Sequence, residues 1–292
     1  MNLPVHPRNM SPSNNGALLM VTVAEMLDKY VPEHFPKLAR RTQVDGLRHI
    51  EILKEQFGHI DANALTPKQI GQWMNGVKKG RIQRGKIVSV LANAYRYAVG
   101  EWFLVDRNPT TDLRMPKGQK RTRYVTDEEF AAVRAICSPR LQAAMDLALI
   151  TGQRQGDILK MRWDHIDVNK RLIRVKQGKT KKEFDIYVTE ALEEVLVRCK
   201  RMPPAYPRAY VIRNRFGNRF SSEGFRALWQ RTMKKALAIG AIKTKFTFHD
   251  LRAKCASDHA DINKAGDLLG HQSVSMTKAV YDRSVRVVRP LK

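Results

Sequence analysis

Thr151-Gly152-Gln153-Arg154-Gln155-Gly156-Asp157 brackets an arginine between two glycines, directly after an apolar run from Leu141 to Ile150. That composition suits a tight turn that aims the guanidinium into a cleft, with an acidic residue, Asp157, close behind it. Far downstream, His249-Asp250-Leu251-Arg252 stands near the start of a predicted helix. A spacing of three puts His249 and Arg252 on one helical face, so both can converge on one ligand. Leu268-Leu269-Gly270-His271 follows, then a short helical pattern from Val274 that ends in Tyr281-Asp282-Arg283.

Working outward, Thr126-Asp127-Glu128-Glu129 reads as a capping box that opens the domain holding these stretches. Leu172 to Val175 and Phe184 to Val188 flank a turn centred on Gly178 and read as a β-hairpin. Helices are expected near Glu190 to Cys199, Ser221 to Ala238, His249 to His259 and Val274 to Tyr281. The earlier part of the chain differs: Thr22-Val23-Ala24-Glu25 and Thr66-Pro67-Lys68-Gln69 are two more capping boxes, the second with proline at the first helical position. Leu47, Ile50, Leu53 and Phe57 recur at helical spacing, as do Ile87, Val90, Leu91, Ala94, Tyr95 and Ala98, which predicts a bundle of about four helices. Residues 1–17, rich in Pro, Ser and Asn, read as disordered. The expected division is therefore a disordered start (1–17), a helical domain (18–109), a basic linker (110–123) and a mixed domain with a small antiparallel sheet (124–292). The fold class is α+β, predominantly helical.

Lys and Arg outnumber Asp and Glu by 53 to 28, a formal charge of +25, while 43% of the residues are hydrophobic. Such a chain can fold, and its charge favours a polyanionic partner, since each cation set against a phosphate releases condensed counterions. A nucleic acid, DNA or RNA, is the leading candidate. No apolar run approaches the ~20 residues of a spanning helix, and no signal peptide is evident, so no membrane partner and a cytoplasmic location are expected. Cys137, Cys199 and Cys255 are widely separated and read as buried, reduced thiols.

Thr-Gly-x-Arg-x-Gly-Asp, then His-x-Leu-Arg, then Leu-Gly-His and a tyrosine, in that order, resembles the phage integrase family of tyrosine recombinases. The resemblance implies a site-specific DNA recombinase, acting in integration or excision of a phage or mobile element, or in resolution of chromosome or plasmid dimers. It narrows the nucleic acid to double-stranded DNA, and further implies a core-DNA-binding first domain, a catalytic second domain and a homotetramer on DNA. Tyr281 is then the nucleophile that forms a 3′-phosphotyrosyl link, and Arg154 and Arg252 neutralise the charge that builds on the non-bridging oxygens. Arginine suits that task because its planar fork bonds two oxygens and stays charged. His249 and His271 donate to the same oxygens or move the nucleophile's proton. Lys179, on the hairpin turn, matches the family's lysine that protonates the leaving 5′-oxygen, with Lys176, Lys181 and Lys182 as alternatives under a different register. Asp157 supports, by holding Arg154 or the turn that follows. Residues beyond Tyr281, including Val285, Val287 and Val288, are expected to dock on a neighbouring subunit, and a host DNA-bending protein or directionality factor is a candidate accessory partner.

Such chemistry retains the bond energy and implies neither ATP nor metal, and no cofactor is expected. The sequence departs from the family where ten positions, against the usual nine, separate His271 from Tyr281. Two rival readings use the same features: a non-catalytic DNA-binding or architectural protein, and a type IB topoisomerase. The blander alternatives are solvated lysines on a hairpin tip and a half-buried packing tyrosine.

Overall fold

A computed structural model describes residues 20–76, 80–119, 121–203, 209–270 and Arg283. The chain divides into two compact units, one running to Gln119 and one from Lys120.

In the first unit, four helices form where the capping boxes and apolar periodicity place them: α1 (Val23–His34), α2 (Arg40–Phe57), α3 (Pro67–Asn75) and α4 (Arg81–Gly100), with a short 3-10 turn at Phe35–Lys37. Thr22 accepts from the Glu25 N–H and Thr66 from the Gln69 N–H, and each partner side chain reaches back to the cap, so two orphan donors are satisfied at each start. Met26, Leu27 and Tyr30 of α1, Ile50, Leu53 and Phe57 of α2, and Leu91, Ala94 and Tyr95 of α4 share one core. The segment read as a linker is divided. Leu113 and Met115 pack against this first core, whereas Arg121 and Arg123 pair with Asp250 and Glu129 of the second unit. Its basic composition concealed the two apolar anchors.

The second unit contains α5 (Asp127–Ala135), α6 (Pro139–Thr151), the short α7 (Gln155–Ile158), β1 (Ile166–Asp167), β2 (Leu172–Lys176), β3 (Glu183–Tyr187), α8 (Glu190–Arg201), α9 (Ser222–Ala238), α10 (Phe248–Asp258) and α11 (Ile262–Leu269). The sheet is antiparallel in the order β1-β2-β3. Ile173 stands opposite Ile166 and Ile186, and Val175 opposite Phe184. Alternation sends Ile173, Val175 and Ile186 into the core and leaves Arg174 and Asp185 to pair on the other face at 3.0 Å. The hairpin forms as the sequence predicts; β1 and α11 were not anticipated, because two residues and one gapped eight-residue stretch carry little periodicity. Residues 1–17 and the Val274–Tyr281 pattern lie outside the described residues.

Helix α6 is apolar nearly all round and lies against α8 and α10, which explains its central place. One carboxylate interrupts it. Asp146 is 8% exposed and accepts from Arg134 at 2.7 and 2.9 Å and from Arg198 at 2.6 Å, which ties α5, α6 and α8 together. Asp146→Ala leaves both guanidiniums facing a shared hole, and we expect a loss of about 2 to 4 kcal/mol, read from the urea midpoint. The three cysteines are free and buried, and burial pushes each thiol up to about 12, so they are inert at neutral pH.

Candidate active site

Gly152 caps α6 with φ of 62°. A Cβ there would lie 2.9 Å from Leu269 Cδ2 and 3.1 Å from Cys255 Sγ, so both the backbone conformation and the space require glycine. The chain then turns sharply and Arg154 takes extended geometry at the N-cap of α7. Its Nη1 donates to Gln177 Oε1 at 2.9 Å. Asp157, one turn on, accepts the Gly178 N–H at 2.8 Å. Asp157 thus contacts the hairpin turn, a partner the sequence reading does not name for it.

Helix α10 carries the second motif. Arg252 is 1% exposed, and donates from Nη1 to the Gly152 carbonyl at 2.6 Å and from Nη2 to the Leu269 carbonyl at 2.7 Å. A guanidinium can bridge two carbonyls in this way because its donors project in a rigid fork. Arg252 thus bolts the Arg154 turn to the end of α11. His249 opens to solvent, yet desolvation by the protein behind it, reinforced by Arg252, lowers its pKa below the ordinary 6.5; Asp250 opposes the shift and Arg154 and Arg283 add to it. Three arginines from separate parts of the chain thus act electrostatically on one imidazole. The structure brings His249, Arg154 and Arg252 together.

Asp250, between His249 and Arg252 in the sequence, is fully enclosed. Burial alone would raise its pKa, but donors from Arg283, Thr247 and Arg121 outweigh that and hold the carboxylate below its usual range. Arg283 Nη1 reaches it at 2.7 Å and also donates to the Arg123 carbonyl, while the Arg283 N–H donates to Ser257 Oγ at 2.8 Å. Arg283 follows Tyr281 by two positions in the sequence.

On the hairpin, Lys176 pairs with Glu183 across the strands. Lys179 is exposed on a turn closed by Gln177 N–H to Lys182 O at 2.8 Å and Lys181 N–H to Gln177 O at 2.9 Å. Asp157 and Arg154 anchor the base of that turn through Gly178 and Gln177, so Lys179 stands on the segment tied to the arginine site. His271 and Tyr281 lie outside the described residues. Gly270, immediately before His271, has φ of 65°. Among the described residues no group of three or more His, Cys, Asp or Glu side chains is placed to hold a metal ion.

Gln153, Gln177, Asp250 and Arg283 are the site residues that motif reading passed over. Gln153 stands in the Thr151–Asp157 motif and Gln177 beside Gly178, but an amide there carries no local sign of a partner more than 90 residues away. Asp250 carried a signal, since Thr247-x-x-Asp250 has capping spacing: its carboxylate accepts from Thr247 N and Oγ1, both at 2.7 Å.

The model of the phage integrase family matches residues 123–286, more than half of the chain and all of the described site. The integrase of Escherichia phage HK022 is 26% identical over 280 residues, covering 90% of this chain and 76% of that protein. Among solved structures, a lambda integrase dimer bound to a COC′ core site superposes with a TM-score of 0.79 at 24% identity, covering 97% of this chain and 84% of that one. A lambda integrase tetramer bound to a Holliday junction gives the same TM-score and identity, with 97% and 85% coverage. No described helix is long and apolar enough to cross a membrane. Motifs, fold and family match agree: the chain belongs to the phage integrase family and is a site-specific tyrosine recombinase.

Proposed function

We propose that this recombinase integrates or excises a phage or mobile element by cutting and rejoining duplex DNA through Tyr281. The observation that carries this reading is the convergence of Arg154, Arg252 and His249 beside a lysine-bearing turn. In the first step the Tyr281 phenol attacks the scissile phosphorus, a phosphotyrosyl bond forms to the 3′ side, and the bond to the 5′-oxygen breaks. The phenol's proton passes to His249, and Lys179 supplies a proton to the leaving 5′-oxygen. Arg154 and Arg252 stabilise the charge on the non-bridging oxygens, with His271 as a further donor. Attack by a second 5′-hydroxyl reverses each transfer and seals the exchanged strand.

The formal charge of +25 supports DNA as the substrate. Likeness to a tetramer on a Holliday junction supports assembly of four copies on DNA. The setting that fits is the cytoplasm of a bacterial host, with a host DNA-bending protein or directionality factor as the accessory partner class.

His249 also gives this reading a pH signature. A proton acceptor must be neutral, and the lowered pKa keeps the imidazole neutral at pH 7. Cleavage is therefore lost only as pH falls through that lowered value, so the acid limb of the rate profile lies below the ordinary histidine value of about 6.5. In His249→Asn the residual rate no longer levels off above that value but rises with pH toward the phenol's ordinary range near about 10; an unchanged limb assigns the proton elsewhere.

A test of the whole function places two copies of a DNA site, recovered by covalent capture from genomic fragments, on one plasmid in the presence of EDTA. Recombinant circles are expected. Relaxation without recombinants identifies a type IB topoisomerase activity, and tight binding without either product identifies a non-catalytic DNA-binding protein.

A further inference from the structure

Gln177, at the root of the hairpin, has no exposed surface. A side-chain amide offers two N–H donors and two acceptor lone pairs, and here all four are engaged. Oε1 accepts from Arg154 Nη1 at 2.9 Å and from Thr180 Oγ1 at 2.6 Å. Nε2 donates to Gln153 Oε1 at 2.9 Å and to the Leu269 carbonyl at 3.0 Å. The surroundings fix which way the amide faces. Leu269 O can only accept, and Gln153 commits its own Nε2 to the Thr151 and Leu268 carbonyls at 2.9 and 2.8 Å, which turns its oxygen toward Gln177. A Cβ on Gly270 would fall 2.9 Å from Gln177 Nε2, so the turn before His271 is shaped around this side chain.

These bonds join three parts of the site that the sequence keeps far apart: the Arg154 turn, the turn carrying Lys179, and the end of α11. We propose that Gln177 is a positioning residue for strand cleavage, holding the Arg154 guanidinium toward the scissile phosphate and, through Thr180, keeping the Lys179 turn in step with it. This rests on the roles given above to Arg154 and Lys179. Buried side-chain amides also stabilise folds, so the decisive readout must follow the chemistry at phosphorus.

Gln177→Met keeps an unbranched side chain of similar length and removes all four bonds. Cleavage is measured in single turnover on a nicked duplex carrying the sequence that the unsubstituted enzyme captures from genomic fragments. The expected result is a loss of about 30- to 100-fold in rate, the scale of a misplaced contact, with DNA binding changed less than about threefold. The same comparison is then made with a methylphosphonate at the scissile position, whose non-bridging methyl removes the charge that Arg154 serves, and with a 5′-bridging sulfur, whose leaving group needs no proton. Most of the defect should vanish on the methylphosphonate, and part of the remainder on the bridging sulfur. A defect of equal size on all three substrates assigns Gln177 a structural role only, and cleavage within about threefold of the unsubstituted enzyme removes the role altogether. If the methionine variant does not fold, Gln177→Glu carries the comparison. Its carboxylate neutralises Arg154 and sets a second oxygen against Leu269 O and Gln153 Oε1, so slow cleavage relieved on the methylphosphonate is again expected. Absence of any adduct with the unsubstituted enzyme overturns the phosphotyrosyl reading and this inference together; an active unsubstituted enzyme with an equally active Gln177→Met overturns this inference alone.

Discussion

Tyr281→Phe is expected to abolish covalent capture of DNA and slow strand cleavage by at least about 10³-fold, while affinity for the same duplex changes less than about threefold. The substitution removes only the phenolic oxygen and keeps the aromatic ring. A phenol with an ordinary pKa of about 10 is a weak nucleophile at pH 7. In the proposed mechanism a neutral imidazole to take its proton and cationic groups to favour the phenolate supply the remedy. Removing the oxygen leaves those groups with nothing to activate. Gel shift on the captured site and a denaturing gel of a nicked substrate separate binding from cleavage. Retained cleavage in the phenylalanine variant moves the nucleophile to another residue.

Arg154→Ala and Arg252→Ala are both expected to lower cleavage by about 10²- to 10³-fold, the usual cost of one oxyanion donor, but only the second also to destabilise the protein. The distinction follows from their surroundings. Arg154 is partly exposed and makes one described bond, to Gln177. Arg252 is enclosed and carries the carbonyls of Gly152 and Leu269, so its removal leaves a buried cavity and strips Gly152 O of a partner. A loss of about 2 to 4 kcal/mol in Arg252→Ala, against less than about 1 in Arg154→Ala, is expected from urea unfolding. A methylphosphonate at the scissile position should restore Arg154→Ala more fully than Arg252→Ala, because the neutral substrate removes the need for charge but does not repair the frame. Equal stability in the two variants contradicts the bolting role of Arg252.

Much of this site was legible because its chemistry uses residue types that are costly to bury or to bend. Gly152 must adopt positive φ and leave room for Leu269 and Cys255, and it stands in the sequence as a glycine two positions before an arginine. The i to i+3 spacing of His249 and Arg252 follows from helical geometry, and the capping boxes at Thr22, Thr66 and Thr126 mark helix starts by the donors they satisfy. What stayed hidden were contacts across long separations. Nothing local to Gln177 says that it meets Arg154 and Leu269, and nothing in a basic stretch says that Leu113 and Met115 fasten it to the first core while Arg121 reaches Asp250. Arg283 is likewise one of many arginines until its bond to Asp250 distinguishes it. Polar networks depend on tertiary placement, whereas caps, turns and periodicity are written in neighbouring residues.

The most direct test is to identify which residue carries the DNA. Wild-type protein is trapped on a nicked duplex in EDTA, the adduct is digested with protease and nuclease, and the nucleotide-bearing peptide is sequenced by mass spectrometry. The phosphotyrosyl mechanism predicts a single modified peptide with the added phosphate on Tyr281, joined to the 3′ end of the cut strand. A nucleotide on any other side chain, or a phosphate joined to the 5′ end, contradicts it.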